Sequence, residues 1–326
     1  MEVYLGIDVG SITTKLALLN ATDDLIANLY IPTSGKPVPA LQRGLMEIGQ
    51  QLPAGAEIAG VAATGSARNL AGAVAGADIV KNEITCQAVA AINFLPHVQT
   101  IIEIGGQDSK IIIIRDGMVT DFGMNTVCAA GTGSFLDHQA SRLDMGIQEF
   151  SRQALCANTP VDITGRCTVF AESDMIHKQQ SGYHIEDIIY GLCRALVRNY
   201  LNDVASGKDI HSPVVFQGGV AFNQGLVKAL GEELDNEIIV PPHHEVMGAI
   251  GAALVVHESM ADNYRVTRFR GFNIGEIDYQ THAFECRACP AACEIVRVSV
   301  DDRIINEVGG HCDEWRGNLV NQGVRT

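Results

Sequence analysis

The sequence predicts an α/β protein built from two duplicated lobes and followed by a small cysteine-rich C-terminal module. Two observations predict the lobes: a strand, a Gly-rich turn and a strand in VYLGIDVGSITTKLALL, and a near copy in IIEIGGQDSKIIII. A third predicts the module: four of the nine cysteines fall between Cys286 and Cys312.

The first lobe opens on apolar runs at 3–8 and 14–19, which have the length and composition of strands, joined by a polar turn. Gly6 and Gly10 let a ligand approach the backbone, and Ser11, Thr13, Thr14 and Lys15, with Ile12 among them, offer donors to phosphate oxygens. Asp8, at the strand end, is placed to hold Mg2+ through water. A tight hairpin whose Ser and Thr only satisfy the turn would read the same way. Glu83 then opens a small-residue helix in IVKNEITCQAVAA, read as helix packing or as a hinge.

Residues 101–114 repeat the opening design, with a third strand at 118–122. Gly105 and Gly106 admit a phosphate, Asp108 positions Mg2+ or the attacking water, and Gln107 orients that water. A third Gly-rich strand exit, PVVFQGGVAFNQGL, runs from apolar 214–216 into Gly218, Gly219 and Asn223, with a helix from near Phe222. Such a turn suits a nucleotide base and its ribose. Each turn alone fits a structural glycine, but three in order at 6–15, 103–110 and 217–225 favour a nucleotide. A Gly-studded helix follows at 246–256, after a loop holding His243 and His244.

Cys128 in NTVCAAGTGSF and Cys167 in TGRCTVFAES each precede a helical pattern, the first through Leu143, the second capped by Thr168 and running toward Gln180. Helix N-termini stabilise thiolates and an anionic cluster. Two thiolates complete neither an iron-sulfur cluster nor a tetrahedral zinc within one chain. A symmetric dimer would supply four. Two small buried hydrophobes are the alternative.

Composition narrows the function classes. The 326 residues are 47% hydrophobic and 19% charged, enough for a sizeable core. No apolar run approaches the ~20 residues of a membrane span, and nothing resembles a secretion signal, so the cytoplasm and no membrane partner are expected. A net charge of -15 without a basic cluster argues against nucleic acid. Reduced cysteines in that compartment favour metal or redox chemistry over disulfides. Cys86, Cys156 and Cys193 have no partner at ligand spacing and read as packing residues.

The order of the loops resembles the actin, hexokinase and heat-shock-70 ATPase superfamily: two phosphate loops, an adenosine motif and a final Gly-studded helix. EIGGQDSK, NTVCAAGTGSF, GRCTVFAESDMI and FQGGVAFNQ narrow the match, over roughly 1–260, to the activator ATPases of 2-hydroxyacyl-CoA dehydratases. That family, BadF/BadG/BcrA/BcrD, includes benzoyl-CoA reductase ATPase subunits and the reductases of double-cubane-cluster proteins. The resemblance implies lobe I at 1–97, completed by a helix near 246–259, and lobe II at 98–245. It also implies ATP or ADP with Mg2+, with Gly131 and Gly133 among the nucleotide-contacting glycines. It implies a homodimer whose interface [4Fe-4S] cluster is held by Cys128 and Cys167 of both copies. A ferredoxin or flavodoxin would be the electron donor and an iron-sulfur enzyme the acceptor. Glu103 stands where the wider superfamily commonly has Asp. The alternative is a sugar or carboxylate kinase of the same fold, with structural or zinc-bound cysteines.

Beyond 262 a polar stretch, ADNYRVTRFRGF, reads as a linker. Cys286, Cys289 and Cys293 then follow as C-x2-C-x3-C, with Cys312 further on, around two short strands that suggest a metal-stapled β-hairpin. Either a second [4Fe-4S] cluster or a zinc satisfies four thiolates.

Overall fold

The computed structural model describes residues 1–125, 128–165, 167–262, 265–300, 302–310, 312 and 315, without the side chain of Glu276. It divides into two compact units: Met1–Cys86 with the residues from Gly248 onward, and Gln87–Met247.

The first unit begins β1 (Glu2–Val9), β2 (Thr13–Asn20), β3 (Leu25–Pro32), α1 (Pro37–Gly49), β4 (Glu57–Thr64), α2 (Arg68–Ala75) and β5 (Ile79–Val80). Its sheet has the order β3-β2-β1-β4-β5, with β1 antiparallel to β2 and β2 to β3, and β1, β4 and β5 parallel. Seven of the eight β1 residues are buried, as in a strand covered on both faces. In α1, Val38, Leu41, Leu45 and Ile48 recur at helical spacing and join Leu16 and Leu18 in the core.

Helix α3 (Glu83–Phe94) leads to the second unit: β6 (Thr100–Ile104), β7 (Ser109–Arg115), β8 (Met118–Asn125), α4 (Gly133–Arg142), α5 (Ile147–Ala154), α6 (Thr168–Gln180), α7 (Ile185–Asp203), β9 (Val214–Gln217), α8 (Gln224–Leu234) and β10 (Ile238–Ile239). Read from the other edge, this sheet is β8-β7-β6-β9-β10, with the same antiparallel and parallel pairs in the same places. The duplication expected from the sequence is therefore present in the strand order. The second core gathers Ile102, Ile104 and Ile111 with Phe135, Phe150, Tyr190 and Tyr200.

The last helix, α9 (Met247–Asp262), is rich in small residues because the backbone crowds it. A Cβ on Gly6 of β1 would lie 1.8 Å from Ala249 O, and one on Gly251 would lie 1.8 Å from Cys86 O. Beyond it, β11 (Tyr279–Glu285), β12 (Glu294–Val300) and β13 (Arg303–Val308) form an antiparallel sheet, one strand more than the expected hairpin. Val298 and Ile274 belong to the first unit's core, and Tyr279 Oη donates to Val74 O at 3.2 Å. The stretch read as a linker, whose residues 263–264 lie outside the described ones, is held at Thr267, Arg268 and Arg270. Thr267 Oγ1 and the Arg268 amide donate to the Asp78 carboxylate at 2.6 and 2.9 Å, and the Arg270 amide donates to Ala75 O at 3.0 Å. No helix among the described residues is long and apolar enough to cross a membrane.

Candidate functional site

The first Gly-rich loop joins β1 to β2 and is tied down from below. The Gly10 amide donates to Thr13 O at 3.0 Å, Thr33 Oγ1 donates to Gly10 O at 2.9 Å, and the Thr33 amide donates to Ile12 O at 2.8 Å. Thr14, buried, shares a hydroxyl hydrogen bond of 2.9 Å with Thr33. Ser11 and Ile12 are left exposed at the tip. Beneath it Lys15 Nζ stands 3.3 Å from Asp8 Oδ2, an ion pair across the β1/β2 register.

A segment that sequence reading passed over completes this corner. Gly65 follows β4 with φ +91°, and a Cβ there would lie 2.4 Å from Asp8 Oδ1 and 2.6 Å from Val9 O. The Ala67 amide donates to Val9 O at 3.0 Å, and Ser66 Oγ lies 3.4 Å from Ser11 Oγ. The signal was a fourth small-residue strand exit, ATGSAR, at 63–68.

The second loop joins β6 to β7, with the Gly105 amide donating to Asp108 O at 2.9 Å and Gln107 exposed. Its anchor is Lys110, whose side chain is 3% exposed, with Nζ 2.8 Å from Glu103 Oε2 and 3.0 Å from Asp108 Oδ1. The lysine thus fixes the carboxylate assigned to Mg2+ or water. It was legible by superposing the copies: DVGSITTK on EIGGQDSK places Lys110 under Lys15 and Glu103 under Asp8. Both pairs occupy the same register position.

The third loop meets the second at Glu103. Gly218 has φ +96°, and a Cβ on it would lie 2.6 Å from Ile104 O and 2.9 Å from Glu103 Oε1. Its amide donates to His244 O, and His244 Nδ1 donates to Gly218 O, both at 2.9 Å. This places His244 in a turn, as expected. Gly219 starts a short 3-10 turn, and Asn223 caps α8, accepting from the Leu226 amide at 3.2 Å. The other side-chain atom of Asn223, Nδ2, is buried without a partner among the described residues. An orphan donor beside a glycine turn fits a nucleotide acceptor. Phe222, 59% exposed, stands edge-on to His244 at 4.4 Å.

Gly131 and Gly133 lie close to α7 and to the second loop respectively. The Gly133 amide donates to Gly105 O at 2.9 Å, and the Ser134 amide and hydroxyl both donate to Gly106 O, the amide at 2.9 Å. A Cβ on Gly133 would lie 2.7 Å from Val220 Cγ2, and one on Gly131 would lie 3.0 Å from Asn199 Oδ1. In this structure Gly133 braces the second loop from behind, while Gly131 packs against Asn199 and Tyr200.

Cys128 and Cys167 occupy matching positions. Each is the extended residue before a helical segment, Cys128 before the 3-10 turn Ala129–Gly131 that leads into α4, Cys167 before α6. Cys167, not Thr168, is the α6 N-cap, and no side chain caps the helix, leaving first-turn amides available beside the thiol. Both cysteines are partly exposed, and Cys167 and Ala130 line one small hollow. Asn125 clamps the Cys128 backbone: its Oδ1 accepts from the Cys128 amide at 3.0 Å, and its Nδ2 donates to Cys128 O at 2.8 Å. By contrast Cys86 and Cys193 are buried, and burial pushes their thiols up to about 11 and about 12.

Cys286, Cys289 and Cys293 all lie in the β11–β12 turn, where the Cys286 amide donates to Cys293 O at 2.8 Å. Cys312 follows Gly309, whose Cβ would lie 2.3 Å from Glu294 O at the base of that turn, and Trp315 stacks edge-on against Phe284. The fold therefore brings the four to one end of the sheet. Among the described residues, however, no three Cys, His, Asp or Glu side chains converge to hold a metal ion.

Comparison with known proteins shows the family and the fold of residues up to about 256. A sequence model of the BadF/BadG/BcrA/BcrD ATPase family matches residues 5–256. The (R)-2-hydroxyglutaryl-CoA dehydratase activating ATPase of Acidaminococcus fermentans is 37% identical over 264 residues, 80% of this chain and 100% of that protein. Its crystal structure superposes with a TM-score of 0.72, covering 80% of this chain and 100% of that one at 35% identity. The activator of the 2-hydroxyisocaproyl-CoA dehydratase from Clostridium difficile, solved with bound ADPNP, gives a TM-score of 0.73 at 33% identity, covering 81% and 99%. A ROK family glucokinase from Streptomyces griseus shares the fold alone, with a TM-score of 0.51 at 11% identity over 78% of this chain and 99% of that one.

Proposed function

This chain belongs to the BadF/BadG/BcrA/BcrD ATPase family, and on that premise we propose that it is an ATP-dependent reductive activator of a partner iron-sulfur enzyme. The observation that carries the proposal is the paired placement of Cys128 and Cys167, each partly exposed ahead of a helix N-terminus. Two thiols per chain leave a tetrahedral or cuboidal site half complete, so the donor set fits a [4Fe-4S] cluster shared by two copies. Such a cluster supplies one-electron transfer at low potential. The relatives' printed functions point to an acceptor of the 2-hydroxyacyl-CoA dehydratase or benzoyl-CoA reductase type. The double-cubane-cluster proteins extend the same class. A ferredoxin or flavodoxin is the matching donor.

The chain's own residues do the rest. The exposed tip of the first loop, at Ser11 and Ile12, would take phosphate oxygens with Lys15 nearby, and Asp8 would hold Mg2+ through water. Asp108, held by Lys110, and Gln107 orient the water that attacks the terminal phosphate, so that phosphoryl goes to water and to no bound acceptor. Gly218, Gly219 and Asn223 receive the nucleoside. Four thiols at one end of the small sheet fit a second metal centre, [4Fe-4S] or zinc, once the β11–β12 turn closes on it.

The test is anaerobic purification with an iron and sulfide count, EPR of the reduced protein, and mass determination in solution. The proposal expects a dimer with four bridging irons per two chains, lost in Cys128→Ala while nucleotide still binds. Iron or zinc that survives in Cys128→Ala and disappears in Cys286→Ser locates the second centre. A colourless, iron-free protein with Cys128 and Cys167 titrating as free thiols would overturn the reading.

A further inference from the structure

The second loop and Cys128 are joined from two sides within one unit. On one side the α4 N-terminus has no side-chain cap; instead the loop carbonyls of Gly105 and Gly106 accept its first two amides, and Ser134 Oγ adds a third bond to Gly106 O. A helix needs acceptors for those amides, and here the loop is the cap. Only the short turn Ala129–Gly131 and Thr132 separate that cap from Cys128. On the other side Asn125 holds both polar backbone atoms of Cys128, and Asn125 pairs in register with Ser109, the residue after Asp108.

We propose that Ser134 and Asn125 are positioning residues that transmit the state of the second loop to Cys128. The inference rests on the reading of 105–108 as a phosphate loop. Its physical basis is that Gly106 O is shared. A phosphate that draws the loop's peptides toward itself must either carry the α4 N-terminus along or strip it of its cap, and Cys128 lies at the end of that rigid link. Asn125, bonded to both polar backbone atoms of Cys128, ties that residue to the end of β8, so that a displacement of the link is felt at the cysteine rather than lost as a loosening of the segment.

The readout does not depend on a cluster. In the full-length, cluster-free chain, the alkylation rate of Cys128 by iodoacetamide is followed by peptide mass spectrometry with Mg-ADP and with Mg-AMP-PNP. Wild type is expected to show a rate contrast of threefold or more between the two nucleotides. Ser134→Ala, which removes the hydroxyl bond but keeps a helix-forming residue, is expected to bring the contrast below twofold with nucleotide affinity unchanged within threefold. Ser134→Thr, which keeps the hydroxyl, restores it. Asn125→Ala is expected to raise the Cys128 rate with both nucleotides and to erase the contrast. A wild-type chain that binds both nucleotides with equal Cys128 rates overturns the inference, as does full contrast in both Ser134→Ala and Asn125→Ala. If the chain proves unable to bind a cluster, the activator proposal falls while this assay still returns its own answer.

Discussion

Replacing Lys110 by Met tests the reasoning about the second loop most directly. The lysine's side chain is 3% exposed and sits between Glu103, 8% exposed, and Asp108, 31% exposed. Removing one partner of a buried ion pair costs about 3–5 kcal/mol, because the remaining charge is left without compensation. Asp108 stays partly hydrated and is discounted, so the loss is assigned to Glu103 alone, at about 3 kcal/mol. The unit Gln87–Met247 has 247 − 87 + 1 = 161 residues, for which each kcal/mol moves Tm by about 2–4 °C. Lys110→Met should therefore lower the melting temperature of that unit by roughly 6–12 °C in a calorimetric scan. Because a charge-free pair removes the penalty, Glu103→Met with Lys110→Met should recover at least half of the loss. A single variant that melts within about 2 °C of wild type would refute the claim that Lys110 anchors the loop. A double variant no better than the single would show that lost packing, not lost charge compensation, sets the cost.

Two further outcomes follow from the geometry. Gly218→Ala adds a Cβ 2.6 Å from Ile104 O at φ +96°, whereas Gly207→Ala, at φ +72°, meets nothing within 4 Å. The first should cost well over the roughly 1–3 kcal/mol of backbone strain alone and weaken ATP binding, the second only the strain; equal losses in urea titrations would rule out close packing as the reason for Gly218. The buried thiols of Cys86 and Cys193, raised to about 11 and about 12, make alkaline stability the other measurable. Below pH about 9 both states carry neutral thiols and the shift is silent; above it the unfolded chain ionises while the folded one cannot. Stability then falls by up to about 1.4 kcal/mol per pH unit per thiol until the folded values are reached. Urea midpoints between pH 8 and 10.5 should decline less steeply in Cys193→Val, and identical slopes would count against the burial argument.

What was legible in the sequence was whatever a run of apolar residues and a glycine turn spell out locally. Strands β1, β2, β6, β7 and β9 and helix α6 lie within a residue or so of their expected bounds, because each is an unbroken apolar run or a clean helical pattern between turn residues. Strand β11 was missed because YQTHAFE alternates polar and apolar residues too weakly; it is set by pairing with β12. Asn125 and Ser134 were missed for a different reason. Their roles depend on which backbone atoms the fold brings opposite them, and Gly106 and Ser134 are far apart in sequence. Gly133 shows the same limit: its residue type marks a close approach, but only the structure shows that Gly105 O is among the atoms approaching.

The duplication itself separates what serves the nucleotide from what serves the cysteines. Both units run three antiparallel strands, then helix, then a parallel strand, and both keep an acid–lysine pair at the same register position across the turn. In the first unit only residues 33–36 lie between β3 and α1, the helix that leads on to β4. In the second, β8 is followed by α4, α5 and α6 before α7 leads to β9. Cys128 and Cys167 both fall in that extra segment. The loops are common to the two copies, so the phosphate binding proposed for them would not by itself require the segment. Its first residues nevertheless cap onto the second loop through Gly133 and Ser134. A structural filler would not need to make its helix N-terminus depend on a phosphate loop. A device that reports the loop's state to a pair of thiols would.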